Sequence, residues 1–415
     1  MPGTDRAAED WIVERIDSLH RLIAQFDYRG HDPFDLVNSA FASALPPSWT
    51  LAHLAISKAG ARLAPDRLRA LLRVPPIEDP KLYCCMNLGY TLRGEVEADA
   101  RAREMLDRLA ALAGTSAQGA HWGYDFLWPT RTSGTNPRRA PTLVPGAFSM
   151  LTLIDAILAG RGDDHRELLR ASLHHYATRH LCRDASGQPF LGYFEGISTN
   201  THNANLLGCA ALTLGALLFD DQQLASVAAQ AAGTTMARVE DSGYLEYADH
   251  RSAQWSDGFH HLYVIASLRV IGWGNPFADQ ALCGDVVGRL SAYWEANFLR
   301  DDGLVNYFPG QLHPIDPHNY AATAIYAVCF GGDEGPRFAR DVLRRVDELA
   351  WDPRRGSYAH RVHGRRTDSR LFLRWTQAWM FAALCAVARP DRLRARRGAY
   401  EALRTNSALT SSVHR

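Results

Sequence analysis

The sequence predicts an all-α fold, an (α/α)6 toroid or six-hairpin barrel, with short β-hairpins or aromatic turns at one end. Two observations lead there. One plan recurs at about 55 to 60 residues: a charged amphipathic helix, an Asp/Gly turn with aromatic residues, a polar cluster, and a nearly all-apolar helix. The two helix types also differ in how they must pack. The charged helices bury one stripe and face water, whereas the apolar ones are hydrophobic all round and belong inside. Closing such hairpins into a ring gives an inner and an outer helical layer, with every inner helix starting at the same end.

Taken in chain order, "MPGTDRAAEDWIVERIDSLH" alternates charged and apolar residues and lacks the uncharged core of a signal peptide. The helical region around residues 47–93 reads as a weaker sixth copy of the repeat. A clearer copy follows in "ARAREMLDRLAALAG", "HWGYDFLWPTRTSG" and "PTLVPGAFSMLTLIDAIL". Four more begin with "RELLRASLHHYATRHL", "QQLASVAAQAAGTTMARV", "CGDVVGRLSAYWEANFL" and "PRFARDVLRRVDELA". Their inner helices are "NTHNANLLGCAALTLGALL", "SDGFHHLYVIASLRVIG", "PIDPHNYAATAIYAVCF" and "RLFLRWTQAWMFAALCAVA". Residues 1–389 are therefore expected to form one toroid domain, and the Arg-rich residues 390–415 a tail or terminal helix.

Composition narrows the partners. The chain has 415 residues, 47% hydrophobic and 22% charged, which suits a soluble globular protein with a sizeable core. A formal net charge of +0 provides no global field for nucleic acid or an anionic membrane, so recognition must be local. The longest apolar stretches, such as Ala204 to Phe219, fall short of the roughly 18 to 20 residues of a membrane span. Seven cysteines without a CxxC pair read as buried reduced thiols in a cytoplasmic protein. Lysine occurs only at Lys58 and Lys81, which narrows the options for Schiff-base or phosphate-loop chemistry. No feature specifies an oligomeric state.

In a ring, the loops before the inner helices converge, and the polar clusters meet on one face. These clusters are His202 with Asn203, Asp257 with His260 and His261, Asp316 with His318 and Asn319, and Arg374 with Trp375 and Gln377. The turns add Trp122, Tyr124, Asp125, Trp128, Arg131, Glu195, Tyr247 and Tyr307. The plain alternative is helix capping, since Thr201, Ser256 or Asp257, and Asp316 are preferred N-cap types and Pro317 suits the first helical position. Capping and chemistry are evenly matched for Asp257 and Asp316. It does not account for the histidines and asparagines that follow, which read as functional.

At these residues the sequence resembles a known family. "HDPFDLVNS", "WGYDFLWPTR", "THNANLLG", "SDGFHH", "YFPGQLHPIDPHN" and "RWTQAWMF" together resemble an uncharacterised bacterial family of the six-hairpin glycosidase-like superfamily. Its members typically lie in genes for capsular or extracellular polysaccharide, and some are loosely labelled as related to D-glucuronyl C5-epimerase. The resemblance spans residues 31–389. It implies the toroid and a carbohydrate substrate, an oligo- or polysaccharide; the superfamily holds hydrolases, lyases and epimerases, among which fold alone does not choose.

Chemistry weighs the choices. His202, His260 and His318 could hold zinc, but no motif with local ligand spacing is present, and no metal or cofactor is expected. Hydrolysis needs a carboxylate pair, for which Asp125, Glu195, Asp257 and Asp316 are candidates without a distinguished couple. Proton abstraction next to a carboxylate, as in uronate lyases and C5-epimerases, needs a His or Tyr base and cations or amides to stabilise the carbanion. His202, His260, His318, Asp257, Asp316, Tyr307 and Tyr124 are the expected catalytic set. The substrate-binding set is Trp122, Asp125, Trp128, Arg131, Glu195, Asn203, Tyr247, His261, Asn319, Arg374, Trp375 and Gln377. Trp379 reads as core, and Asp32, Asp35 and Asn38 as a turn and cap. Terpene and lanthionine cyclases, which also use α-toroids, lack support because neither an Asp-x-Asp-Asp run nor a Cys-His-Gly pattern occurs. A non-catalytic glycan-binding or assembly protein is the rival from another class.

Overall fold

The computed structural model describes residues 4–63, 66–117 and 119–411. Helix α1 (Thr4–Gln25) is followed by an insertion of a 3-10 turn (Asp35–Asn38) and the short helices α2 (Ala40–Ser43), α3 (Thr50–Leu63) and α4 (Asp66–Leu71). Eleven helices then alternate between layers: α5 (Pro80–Arg93), α6 (Val96–Ala111), α7 (Leu143–Leu158), α8 (Arg166–Arg179), α9 (His202–Phe219), α10 (Gln222–Met236), α11 (Gly258–Gly274), α12 (Gln280–Phe298), α13 (Pro317–Phe330), α14 (Gly335–Ala350) and α15 (Ala378–Ala388). The odd-numbered members from α5 to α15 pack side by side in sequence, and α15 packs on α5, which closes an inner ring of six. Outside it α6, α8, α10, α12 and α14 each lie on the inner helix that precedes them, and α1 lies on α15. The fold is the (α/α)6 toroid.

The two helix types separate as their sequences require. Every residue of α9 from His202 to Leu217 is buried, while α14 buries Ala339, Val342, Leu343 and Val346 and turns its charged side outward. Among the described residues α9 is long and apolar enough to cross a membrane; its 18 residues are 89% buried inside the ring. The closing seam relies on a glycine: a Cβ at Gly89 of α5 would stand 2.3 Å from the Phe381 ring of α15.

The region expected as a sixth hairpin behaves differently. Only Pro80–Arg93 enters the ring, and its outer counterpart is α1 at the start of the chain. In that segment the buried positions of α3 are His53, Ser57 and Gly60 rather than large apolar side chains, and Leu51 and Leu71 are each 77% exposed. Instead α3 packs on the 3-10 turn and on the hairpin of Trp128–Thr130 and Gly134–Asn136, at the end of the ring where the inner helices begin.

The turns at that end form two-stranded antiparallel ladders: β1 (Gly114–Ser116) with β2 (Gly119–His121), β3 (Trp128–Thr130) with β4 (Gly134–Asn136), and β5 (Leu181–Arg183) with β6 (Pro189–Leu191). Before α15 lie β7 (Trp351–Asp352) with β8 (Ser357–Tyr358) and β9 (Arg361–His363) with β10 (Arg366–Asp368). The far end is covered by α16 (Pro390–Asn406), which touches α7, α9, α13 and α15, and by the short α17 (Ala408–Ser411). The Arg-rich segment is thus helical, with its last four residues outside the described ones.

Candidate active site

Helix register decides which polar residues reach the mouth of the ring. The second residue of each inner helix, counting the π turn Leu373–Gln377 as the start of the last, is Lys81, Val144, Asn203, Phe259, His318 or Arg374. All six are buried. One turn deeper, Phe148, Tyr263 and Trp379 come from three alternate inner helices and close a triangle of ring centroids at 5.8, 5.8 and 5.9 Å. This is an aromatic floor. The π turn adds a residue, so Arg374 and Trp379, five positions apart, both reach the centre.

Above the floor, Asp257 caps α11 by accepting the His260 amide at 2.9 Å through Oδ1, and its Oδ2 accepts from His260 Nδ1 at 2.9 Å. The second bond fixes the ring with Nε2 outward, and Nε2 bonds to no other described residue. His260 is 21% exposed in its side chain and stands edge-on to Tyr247, 4.9 Å away. Tyr247 in turn stacks on Trp255 at 4.4 Å and 12°. On the next inner helix His318 Nε2 lies 2.7 Å from the Tyr263 hydroxyl. Burial, reinforced by the Lys81 charge, holds the His318 imidazole well below its ordinary pKa, so it is neutral.

Two cation clusters flank these histidines. Asp316 caps α13 through the His318 amide (3.1 Å), accepts from Arg361 Nε at 2.9 Å and from the Trp375 indole at 3.3 Å. Arg361 also donates to the Tyr307 hydroxyl at 3.0 Å. Burial raises the Asp316 carboxyl, against the pull of Arg361. On the other side, Arg374 bonds Asp32 through Nε at 2.8 Å and lies 3.4 Å from Asp79. Asp79 caps α5 through the Lys81 amide at 2.8 Å. The Lys81 ammonium sits over the faces of Phe148 and Trp379 at 4.8 and 5.8 Å. Burial and the Arg374 charge push its pKa down to about 8.

Aromatic side chains complete the wall. The Tyr124 and Tyr193 hydroxyls are 3.3 Å apart, and Tyr124 stacks on Trp128 at 5.2 Å. Phe34, just before the insertion, meets Trp128 at 5.2 Å and Trp375 at 6.4 Å. Of the residues singled out from the sequence, this mouth gathers Asp257, His260, Asp316, His318, Tyr307, Tyr124, Tyr247, Trp128, Arg374 and Trp375. The register also places Asn203 there, with its Oδ1 buried and unpartnered among the described residues.

The structure turns the others away. His202 pairs through Nδ1 with Thr235 of α10 (3.2 Å) and through Nε2 with Asp249 (3.2 Å), toward the outer layer. His261 donates from Nε2 to the Leu290 carbonyl of α12 at 3.1 Å. Asn319 holds the Asn306 carbonyl at 3.0 Å, and Gln377 bonds both backbone groups of Tyr358. Trp122 is fully buried, donating to the Leu109 carbonyl at 2.8 Å. Asp125 is held by Arg138 and Arg139, Glu195 by Arg179 beside α8, and Arg131 is exposed on the β3–β4 turn. The three histidines considered for zinc do not converge, since His202 faces outward. The physical reason is angular: one residue along a helix is a rotation of about 100°, and His202 is the first residue of its helix whereas His318 is the second.

Lys81, Asp79, Asp32, Arg361, Tyr193, Trp255 and Tyr263 belong to the mouth without having been read from the sequence as site residues. A signal for Lys81 was present: "DPK" at Asp79-Pro80-Lys81 repeats the "DPH" of Asp316-Pro317-His318.

No protein-family model matches the chain, and no curated protein matches it significantly. Solved structures do. A cellobiose 2-epimerase from Bacillus thermoamylovorans B4167 superposes with TM-score 0.57 at 13% identity, over 77% of this chain and 90% of that one. An unsaturated glucuronyl hydrolase specific for heparin gives 0.57 at 13%, over 95% and 98%, and a polysaccharide lyase 0.51 at 13%, over 76% and 90%. At this identity the likeness shows the fold alone, the (α/α)6 toroid.

Proposed function

We propose that this protein is a carbohydrate-active enzyme that removes a proton next to a carboxylate of a uronic-acid-containing glycan, as a lyase or C5-epimerase. The Asp257–His260 pair carries the reading. Asp257 holds Nδ1 at 2.9 Å, so Nε2 has the lone pair, faces the mouth, and can take a proton while the carboxylate stabilises the imidazolium that forms. The neutral His318 and the Tyr263 hydroxyl, 2.7 Å apart, form a second proton-transfer couple. Epimerisation returns a proton on the opposite face of the sugar; elimination expels the leaving group instead. Lys81 and Arg361 provide positive charge for the substrate carboxylate and the enolate developed from it. Tyr247 and Trp255 offer an aromatic face to a sugar ring.

The carboxylates support hydrolysis less well, because each is engaged: Asp257 by His260, Asp316 by Arg361, Asp125 by Arg138 and Arg139, and Glu195 by Arg179. The raised carboxyl of Asp316 is the one observation in favour of a hydrolase, since a general acid needs its proton. The names of the similar structures include an epimerase, a hydrolase and a lyase, all acting on carbohydrate.

Incubation with a panel of uronic-acid oligosaccharides in deuterated water separates these outcomes. Deuterium at C5 without cleavage identifies epimerisation, and a new ultraviolet-absorbing double bond identifies elimination. A new reducing end with neither shows hydrolysis and overturns the proposal. Binding without turnover makes the protein a glycan-binding module, and no interaction with any sugar removes the carbohydrate reading.

A further inference from the structure

A second cluster of histidines lies behind the wall of the third hairpin, away from the ring centre. His175 is on α8, His180 follows that helix, and Glu195 is in the loop after β6. The His180 ring is fully buried, and its Nδ1 donates to the Gly192 carbonyl at 2.8 Å. That bond fixes the tautomer and leaves a lone pair on Nε2, which is buried and has no hydrogen-bond partner among the described residues. A backbone carbonyl on the remote nitrogen, with the other nitrogen bare, is how proteins orient a metal-ligating imidazole. His175 Nε2 stands 3.6 Å from Glu195 Oε1, and the ligand atoms of His175, His180 and Glu195 all lie within 4.8 Å of one another. Ligands about 2.0–2.2 Å from a tetrahedral zinc are about 3.3 Å apart, so closing the set needs movements of about an ångström. Arg179 already holds the other carboxylate oxygen of Glu195 at 2.8 Å, which aims Oε1 at the histidines.

We propose that His175, His180 and Glu195 bind one zinc ion, with a fourth position for water or for His121, whose ring stacks on His175 at 5.2 Å. A plain His175–Glu195 ion pair would leave the bare His180 nitrogen unexplained. Two imidazoles and a carboxylate suit zinc rather than calcium or magnesium. The ion ties α8 to the segment between Gly192 and Glu195, which carries Tyr193, and the Tyr193 hydroxyl reaches Tyr124 at the mouth. Its role is to brace one wall of the site, and the site is independent of the sugar chemistry proposed above.

The test uses the full chain, freed of any affinity tag and stripped with chelator, then titrated with Co2+ as a spectroscopic probe. One equivalent with the visible absorption of a tetrahedral nitrogen/oxygen site, displaced by Zn2+, is expected. Glu195→Gln, on a half-buried side chain, removes a direct ligand and is expected to weaken binding by more than the roughly 10- to 100-fold that follows loss of an outer-shell partner, and His180→Ala to abolish it, with circular dichroism confirming that both are folded. Asp249→Asn serves as control, because His202, Glu246 and Asp249 form the other His/carboxylate group among the described residues; it is expected to leave binding unchanged. Wild-type protein that takes up no stoichiometric Co2+ or Zn2+ overturns the proposal. So does binding that survives Glu195→Gln and is lost with Asp249→Asn.

Discussion

One carboxylate at the mouth carries two duties that single substitutions can separate. Asp257 closes the first turn of α11 through the His260 amide and orients the His260 ring through Nδ1. Asparagine caps a helix about as well as aspartate but cannot stabilise an imidazolium by charge. Asp257→Asn should therefore leave the melting temperature nearly unchanged while kcat falls about 10²- to 10⁴-fold; an equal loss of stability and rate would mean that capping is its only role. Lys81 gives the converse case, a group that strains the fold. Its pKa drops from 10.5 to about 8 on burial, so the unfolded chain binds the proton more tightly. The cost is constant below pH 8 and disappears as pH rises toward 10.5. Lys81→Met should raise the melting temperature at pH 7, the gain should shrink between about pH 8 and 10.5, and uronate affinity should fall. A destabilised Lys81→Met protein would show instead that the ammonium is held by favourable contacts. Much of this site was legible residue by residue: Asp257, Asp316 and the second-position His318 were visible as the polar start of an apolar helix. Facing was not, because His202 and Asn203 differ by one position and only packing against Thr235 shows which of them turns outward.

At the scale of elements, the alternation of charged and apolar helices was enough to read the ring, because a helix like α9 has no polar face to offer water. Insertions and closures were harder. Residues 47–93 carry the residue types of a helical pair, yet only tertiary contact reveals that α1 is the partner layer and that α3 lies over the mouth. The end of the chain poses a similar problem, since α16 buries none of its own residues. Leu393, Tyr400 and Leu403 pack on the core while only partly buried, and polar side chains add to them: Arg396 pairs with Asp155, Tyr400 reaches Asp155 at 3.4 Å, and Glu401 accepts from the Trp273 indole at 3.2 Å. Asp155 closes the far end of α7, and burial raises its carboxyl despite Arg396. Removing only the arginine strands that carboxylate, so Arg396→Met should cost about 3 kcal/mol in urea unfolding. Replacing both, as Asp155→Leu with Arg396→Met, should recover most of the loss. A double variant as unstable as the single one would show that α16 depends on the ion pair itself.

For the whole molecule the question is whether six hairpins form a closed ring or behave as a string of units. Ile12, Ile16, Leu19 and Ile23 make one buried stripe on α1, each at most 5% exposed, and that stripe covers α15 at the other end of the sequence. Arg15 bonds Asp347 at 3.0 and 3.2 Å and lies over Trp351, while Ser18 donates to the Gly356 carbonyl at 3.1 Å. In an open solenoid each terminal unit contributes only its own stability and one interface. In a ring the same helix joins the first and last units, and its loss exposes α15, in which every residue from Ala378 to Val387 is buried. Four aliphatic side chains at about 1.5–3 kcal/mol each come to about 6–12 kcal/mol, comparable with the roughly 5–15 kcal/mol that holds an ordinary domain folded. Deleting residues 1–30 should therefore abolish the cooperative thermal transition followed by circular dichroism, rather than shift it by a few degrees. Supplying residues 1–30 as a separate chain during expression should restore the transition, because the stripe, and not the peptide connection, closes the ring. A truncated chain that still melts cooperatively within a few degrees of the full protein would show that the last five hairpins stand without closure, as the units of a solenoid do.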